Sequence, residues 1–141
     1  MSIEESKAVA RRTYELLGTR DIEGLRKIAD PNFVDHTPYP GQGPGMDGLL
    51  EVVQMWLQAF PDFGHRIEDQ LAEGDKVMTR YTWWGTHRGE MAGIAPTGKR
   101  VEVGGIEIYR IKGGKITDVW RVEDNSNLMQ QLGVVTDSAE G

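Results

Sequence analysis

The feature that most narrows the fold of this 141-residue chain is a change of hydrophobic period near residue 60. Before it, apolar residues recur every three or four positions; after it, they alternate. Ser2 and Glu5 have capping-box spacing, and Val9, Thr13, Leu16 and Leu17 continue a helical pattern as far as Gly18. Asp21 is placed to cap a second, shorter helix through Leu25 and Ile28. Asp30-Pro31 breaks that helix and leaves NFVDHT as a brief extended piece. The segment PYPGQGPG, residues 38–45, is predicted to be loop, because three prolines and three glycines sustain neither a helix nor a ladder. A third helix is predicted from about Met46 to Phe60, with Leu49, Leu50, Val53, Trp56, Leu57 and Phe60 on one broad stripe, and Pro61 ends it.

From Gly64 onward four segments read as strands: HRIEDQLAEG, DKVMTRYTWWGTHRG, KRVEVGGIEIYRI and KITDVWRVED. Gly74-Asp75 and Gly113-Gly114 have the composition of tight hairpin turns, whereas EMAGIAPTG is a longer connection. NSNLMQQL then returns to a helical period and predicts a short helix ending near Leu132. Three helices followed by an antiparallel meander predict an α+β architecture in one domain, residues 1–141, with the helices covering one face of a curved sheet.

Composition removes several classes of function. A formal charge of -6, with no basic run longer than pairs such as Arg11-Arg12 and Lys99-Arg100, argues against nucleic-acid or anionic-membrane partners. No apolar run approaches the ~20 residues of a membrane span. Cysteine is absent, which excludes disulfides, thiolate nucleophiles and Cys-ligated zinc. The N-terminal segment is acidic and amphipathic and does not resemble a signal peptide, so cytoplasmic residence is expected. His36, His65 and His87 have no metal-ligand spacing, and phosphate-loop, GxSxG and HExxH motifs are missing. Chemistry is therefore expected from carboxylates, histidines and arginines around an apolar cavity, with no metal.

Asp124 is the sharpest candidate. It stands where an N-cap for NSNLMQQL is needed, and in a regular strand it also shares a face with Trp120 and Val122. If that face is interior, the carboxylate loses hydration, its pKa rises, and it becomes a usable acid/base. His36 precedes a loop and is placed either to line a cavity mouth or to make structural hydrogen bonds. Arg110 shares a face with Ile106 and Ile108, where an arginine either meets an anion or carbonyl or lies along the surface. His87 begins a long connection and is as well placed for a rim as for a site. On the third β segment neither alternate set, Val77/Thr79/Tyr81/Trp83 or Met78/Arg80/Thr82/Trp84, is uniformly apolar. Both sheet faces are thus expected to be covered, one by helices and one by a partner subunit.

The order FVDHTP, GPG, AFPDF, then GTHRGEMAGIAPTGKRVEVGGIEIYRIKGGKITDVWRVED and LMQQLG, resembles the SnoaL-like polyketide cyclases and predicted ester cyclases of the nuclear-transport-factor-two-like superfamily. The resemblance covers a core of about residues 6–133 and leaves 134–141 as a C-terminal tail. It implies a cone of strongly bent antiparallel sheet closed by three N-terminal helices, a deep apolar pocket, no cofactor and a homodimer. It also implies an acid/base Asp at the end of the last strand, and Asp124 occupies that position. Many relatives carry His directly before the last-strand Trp, where this chain has Val119.

The function so implied is an intramolecular aldol-type ring closure on a small apolar or aromatic keto or ester substrate. Asp124 would move the proton, and Arg110, Arg80 and His36 would steady the enolate. Trp56, Phe60, Trp84, Met91, Ile108 and Trp120 would form apolar walls, with Arg80 and His87 also contacting substrate. Two alternatives stand beside it: an epoxide hydrolase or hydratase on the same fold, and a noncatalytic small-molecule-binding module.

A stability test isolates the capping part of the Asp124 question. As a cap, Asp124→Asn is expected to lose little, since Asn caps about as well, while Asp124→Ala is expected to lose about 1 kcal/mol in urea unfolding. Equal losses in the two variants would remove the capping role.

Overall fold

The computed structural model describes residues 1–134. Ser2 and Glu5 form the expected capping box, with Ser2 Oγ accepting from the Glu5 N–H and Glu5 Oε1 accepting from the Ser2 N–H, both at 3.1 Å. They open α1 (Ile3–Gly18). Asp21 caps α2 (Ile22–Ile28) through Oδ1 and the Gly24 N–H at 2.8 Å. The extended piece read from NFVDHT belongs to β1 (Ala29–Asp35), and α3 (Gly45–Ala59) follows the Pro/Gly loop. Next come β2 (Gly64–Glu73), β3 (Lys76–Thr86), β4 (Arg100–Lys112), β5 (Lys115–Glu123) and α4 (Asn125–Leu132).

The sheet order is β1-β5-β4-β3-β2. The last four strands form the antiparallel meander predicted from their alternation, and β1 adds a fifth strand parallel to β5, making the sheet mixed. Gly113 and Gly114 both have positive φ, 57° and 78°, as the two central residues of a primed hairpin turn require. One face of the sheet is interior. It carries Val77, Thr79, Tyr81 and Trp83 from β3 and Val101, Val103, Glu107, Tyr109 and Ile111 from β4, all buried. Each fully buried large apolar side chain in such a layer stabilises by roughly 1.5–3 kcal/mol. α1 lies across β2, β3, β4 and β5, while α4 packs on β4 with Leu128 and Leu132 buried.

α3 packs chiefly on the edge strand β1 and on α2, and its inner side roofs unfilled space over the interior face of the sheet. The roof is tied to its own preceding loop at Gly48, whose position for a side chain is already occupied by the backbone of Gly43. Among the described residues no helix is long and apolar enough to cross a membrane. The tail predicted over 134–141 lies, beyond Val134, outside the described residues.

Gly48→Ala tests the loop-to-roof contact. Alanine favours a helix by up to ~1 kcal/mol over glycine, but overpacking against rigid backbone costs roughly 1–3 kcal/mol. A net loss of stability in urea unfolding is expected, and a gain would mean that the loop does not rest on α3.

Candidate active site

Under α3 lies a cavity of about 140 Å³. Its walls are apolar: Met46, Leu49, Val53 and Trp56 come from the roof, and Phe33, Phe63 and Trp83 from β1, the loop after α3 and β3. Trp56 is stacked on the fully buried Phe60 at 5.5 Å and meets Trp83 edge-on at 5.4 Å, which fixes the aromatic wall.

Polar groups converge at one end. β5 supplies Arg121 and Glu123, β4 supplies Glu107 and Tyr109, β3 supplies Tyr81, α1 supplies Tyr14, and the loop after β1 supplies Tyr39. Glu107 Oε1 accepts from the Tyr14 hydroxyl at 2.6 Å and from the Tyr109 hydroxyl at 3.4 Å, while Oε2 accepts from Arg121 Nε at 2.8 Å. Arg121 Nη1 also reaches Asp35 Oδ2 at 3.4 Å, and its guanidinium lies 5.3 Å from the centre of the Tyr39 ring. Burial alone would lower the Arg121 pKa, but Glu107, Tyr39 and Asp35 outweigh it and hold the guanidinium above its ordinary value.

Glu123 is the acid of this group most suited to move a proton. Its Oε1 accepts from the Tyr39 hydroxyl at 2.9 Å and its Oε2 from the Tyr81 hydroxyl at 2.7 Å. Burial pushes its carboxyl above the ordinary range, against the opposing pull of the two phenols and Arg121. Burial and the nearby carboxylates raise both phenols too, so Tyr39 and Tyr81 remain neutral donors. His65 also lines the cavity; burial lowers its pKa, Arg20 adds to this, and the ring is neutral at pH 7. A second pocket, about 170 Å³ and lined by Thr37, Pro38, Tyr39, Pro40, Arg121, Glu123 and Asn125, shares Tyr39, Arg121 and Glu123 with the first.

Of the residues singled out from sequence, Trp56 lines the cavity. Asp124 is exposed and caps α4, its Oδ1 accepting from the Asn127 N–H at 3.1 Å. The structure does bring His36, Arg110 and Trp120 together, but on the outer face of the sheet. His36 stacks on Trp120 at 4.5 Å and bonds Asp118 Oδ2 through Nε2 at 2.8 Å, and Arg110 lies over Trp120 at 5.3 Å with Nη1 3.4 Å from Asp118. Arg80, paired with Asp69 at 2.7 Å, Trp84 beneath Arg66, and Ile108 are on that outer face as well. His87 is fully buried behind Phe60, with Nδ1 accepting from the Thr97 N–H at 3.2 Å. Met91 is buried in the β3–β4 connection, where it bridges to Ile94.

The expectation that Trp120 and Asp124 face the interior is corrected by one irregularity. β4 pairs Arg110 with Asp118 and then Ile111 with Ile116, so Thr117 is an extra residue in β5. In an unbroken strand Ile116 would share its inward face with Asp118, Trp120, Val122 and Asp124. The bulge advances the phase by one, and Val119, Arg121 and Glu123 turn inward instead. No sequence signal marks Thr117 as a bulge. Glu107 was equally hard to single out, because Ile106 and Ile108 make the opposite face of β4 look just as apolar.

Comparison with known proteins agrees with this architecture. The model of the SnoaL-like polyketide cyclases matches residues 7–132. The aklanonic acid methyl ester cyclase DnrD of Streptomyces peucetius is 26% identical over 139 residues, covering 94% of each chain. Among solved structures, IdmH from Streptomyces antibioticus is 33% identical with a TM-score of 0.80, covering 92% of this chain and 99% of its own. TsrD from Streptomyces laurentii is 25% identical with a TM-score of 0.86, covering 96% and 99% respectively. With a family match across most of its length and the same fold in these relatives, the chain belongs to the SnoaL-like polyketide cyclase family.

Proposed function

We propose that the protein closes a ring in an apolar polyketide-like keto or ester substrate by an intramolecular aldol reaction, with Glu123 as the acid/base. The observation that supports this most directly is a carboxyl buried at the polar end of an aromatic cavity, held between two phenols and with its pKa raised by burial. Ionised Glu123 removes a proton from carbon next to a carbonyl. The enolate carbon attacks a second carbonyl of the same molecule, one C–C bond forms, and the resulting alkoxide takes the proton back from Glu123. Once Glu123 is protonated, the Tyr39 and Tyr81 hydroxyls are free to turn to the substrate oxygen, and Arg121 supplies positive charge beside them. The reaction is redox-neutral and moves one proton, so these side chains suffice for it.

The cavity is close to the ~150 Å³ that accommodates a benzene ring. One ring of the substrate fills it, and the rest extends past Tyr39 into the second pocket. A second reading, hydration of an epoxide, is favoured by one arrangement: Arg121 bonds Glu107 and stands two residues before Glu123, which supplies the second inward acid that such chemistry needs. A homodimer through the outer face is also proposed. Leu71, Met78, Ile108 and Trp120 form a row across four strands there, and Val122 is 74% exposed beside it.

Turnover of activated keto esters and of epoxides by wild type, Glu123→Gln and Asp124→Asn separates these readings. Glu123→Gln is expected to lose ~10²–10⁴ in rate on the keto ester, the usual contribution of a positioned acid/base, with Asp124→Asn near wild type. Loss confined to Asp124→Asn would return the role to Asp124, and turnover of epoxides alone would favour hydration. Binding without turnover of either would leave a noncatalytic module.

Wild-type rate should climb with pH through the raised Glu123 pKa, since the ionised form is the base. Stability has the opposite sign: a carboxyl with a raised folded-state pKa stabilises below its unfolded value and loses that contribution as pH rises through the folded one. The thermal midpoint of Glu123→Gln relative to wild type is therefore expected to increase from acid to neutral pH, and a constant difference would mean that Glu123 is not desolvated. Sedimentation at micromolar concentration tests the dimer, and a monomeric mass would overturn it.

A further inference from the structure

We propose that Gly105 is a positioning residue: its missing side chain lets Tyr81 reach across β4 and hold the Glu123 carboxyl in place. The proposal rests on the reading of Glu123 as the acid/base. Tyr81, Gly105 and Glu123 are direct cross-strand neighbours, Tyr81 pairing with Gly105 and Gly105 with Glu123. Strands two apart lie about 9.5 Å from one another, so side chains from β3 and β5 meet only by leaning over the strand between them. At Gly105 nothing obstructs them. A Cβ there would stand 2.5 Å from the Tyr81 hydroxyl oxygen, 2.6 Å from Tyr81 Cζ and 3.0 Å from Glu123 Cγ. The 2.7 Å hydrogen bond between Tyr81 and Glu123 runs through the space that any other residue would fill.

Backbone conformation does not account for this glycine, because Gly105 is not among the residues with positive φ. Nor does the strand favour it, since glycine weakens a strand interior. Gly104 supplies the contrast: it precedes Gly105 in the same strand, and a Cβ there would meet nothing within 4 Å. Tyr81 is 5% exposed, so its ring has little room to move. Relief of the clash therefore draws the hydroxyl away from Glu123 and removes one of the donors that oppose the effect of burial on that carboxyl.

The test is titration of the Glu123 carboxyl by ¹³C NMR in wild type, Gly104→Ala, Gly105→Ala, Tyr81→Phe and the double variant Gly105→Ala/Tyr81→Phe, with the pH–rate profile on an activated keto ester measured alongside. Gly105→Ala and Tyr81→Phe are each expected to move the Glu123 midpoint, and the acid limb of the rate profile, to higher pH. The double variant should add nothing to Tyr81→Phe, and Gly104→Ala should titrate as wild type.

An unshifted midpoint in Gly105→Ala, or an equal shift in Gly104→Ala, would overturn the proposal. If Gly105→Ala does not fold, Tyr81→Leu in the same chain clears the ring and should restore folding, and continued failure would place the clash elsewhere and overturn the proposal as well. The NMR midpoint does not depend on turnover, so a shift there with no effect of Glu123→Gln on rate would sink the acid/base reading while leaving the positioning of Glu123 by Gly105 intact.

Discussion

The interaction on which the interior depends is the ion pair between Arg121 and Glu107, made where water is largely excluded. A guanidinium in such a place needs partners, and two strands supply them: Nε donates to Glu107 on β4 and Nη1 to Asp35 on β1. Glu107 in turn draws in Tyr14 from α1 and Tyr109 from its own strand, and Asp35 accepts from the Gln42 side chain of the loop that carries Tyr39. Leaving one partner of such a buried pair alone typically costs 3–5 kcal/mol. Docking of the first helix, addition of the parallel strand and placement of the loop over the cavity end are thereby tied to one charged contact. The apolar core sets the layers, and this contact sets which residues meet at the end of them.

Architecture was legible because period and punctuation decide it locally. Capping residues at Ser2 and Asp21, the proline and glycine run before α3, and paired turn glycines each act within a few residues of themselves. The parallel pairing of β1 with β5 was not legible, because it joins segments 84 to 87 positions apart through backbone groups that leave no mark on composition. The site was harder still. Trp56 could be chosen from the helical stripe alone, whereas Arg121, Glu123 and Glu107 sit on strands whose two faces both mix apolar and charged residues. Where neither face is uniformly apolar, alternation shows that residues share a side but not which side is interior.

Tyr39 separates two spaces of similar size but unlike character, one apolar and one bounded by prolines, Thr37 and Asn125. Its backbone is held by Gln42, which accepts from the Tyr39 N–H at 3.1 Å and donates to Tyr39's carbonyl at 2.9 Å. The phenol is therefore presented by a braced loop while its hydroxyl is committed to Glu123. A molecule that occupies both spaces meets the carboxyl and the guanidinium at its waist, with apolar contacts on one side and access to solvent on the other. For the substrate proposed above, that waist is where a keto or ester group would lie, with the apolar part of the molecule beyond it.

Glu123 ends β5 and Asp124 follows it directly, and in a strand of this length it is the bulge at Thr117 that turns Glu123 and not Asp124 toward the cavity. The strand behaves as a reading frame with two phases, each presenting a complete set of side chains: Val119, Arg121 and Glu123 in one, Trp120, Val122 and Asp124 in the other. Loss of Thr117 would make the ladder regular and leave Asp118 and all that follows paired as they are, with Glu123 still inward, whereas a strand of the present length without the bulge would present the other set. Which carboxyl reaches the cavity is thus a matter of strand phase and not of the identity of either acid, since the two differ by one methylene and stand side by side in the chain.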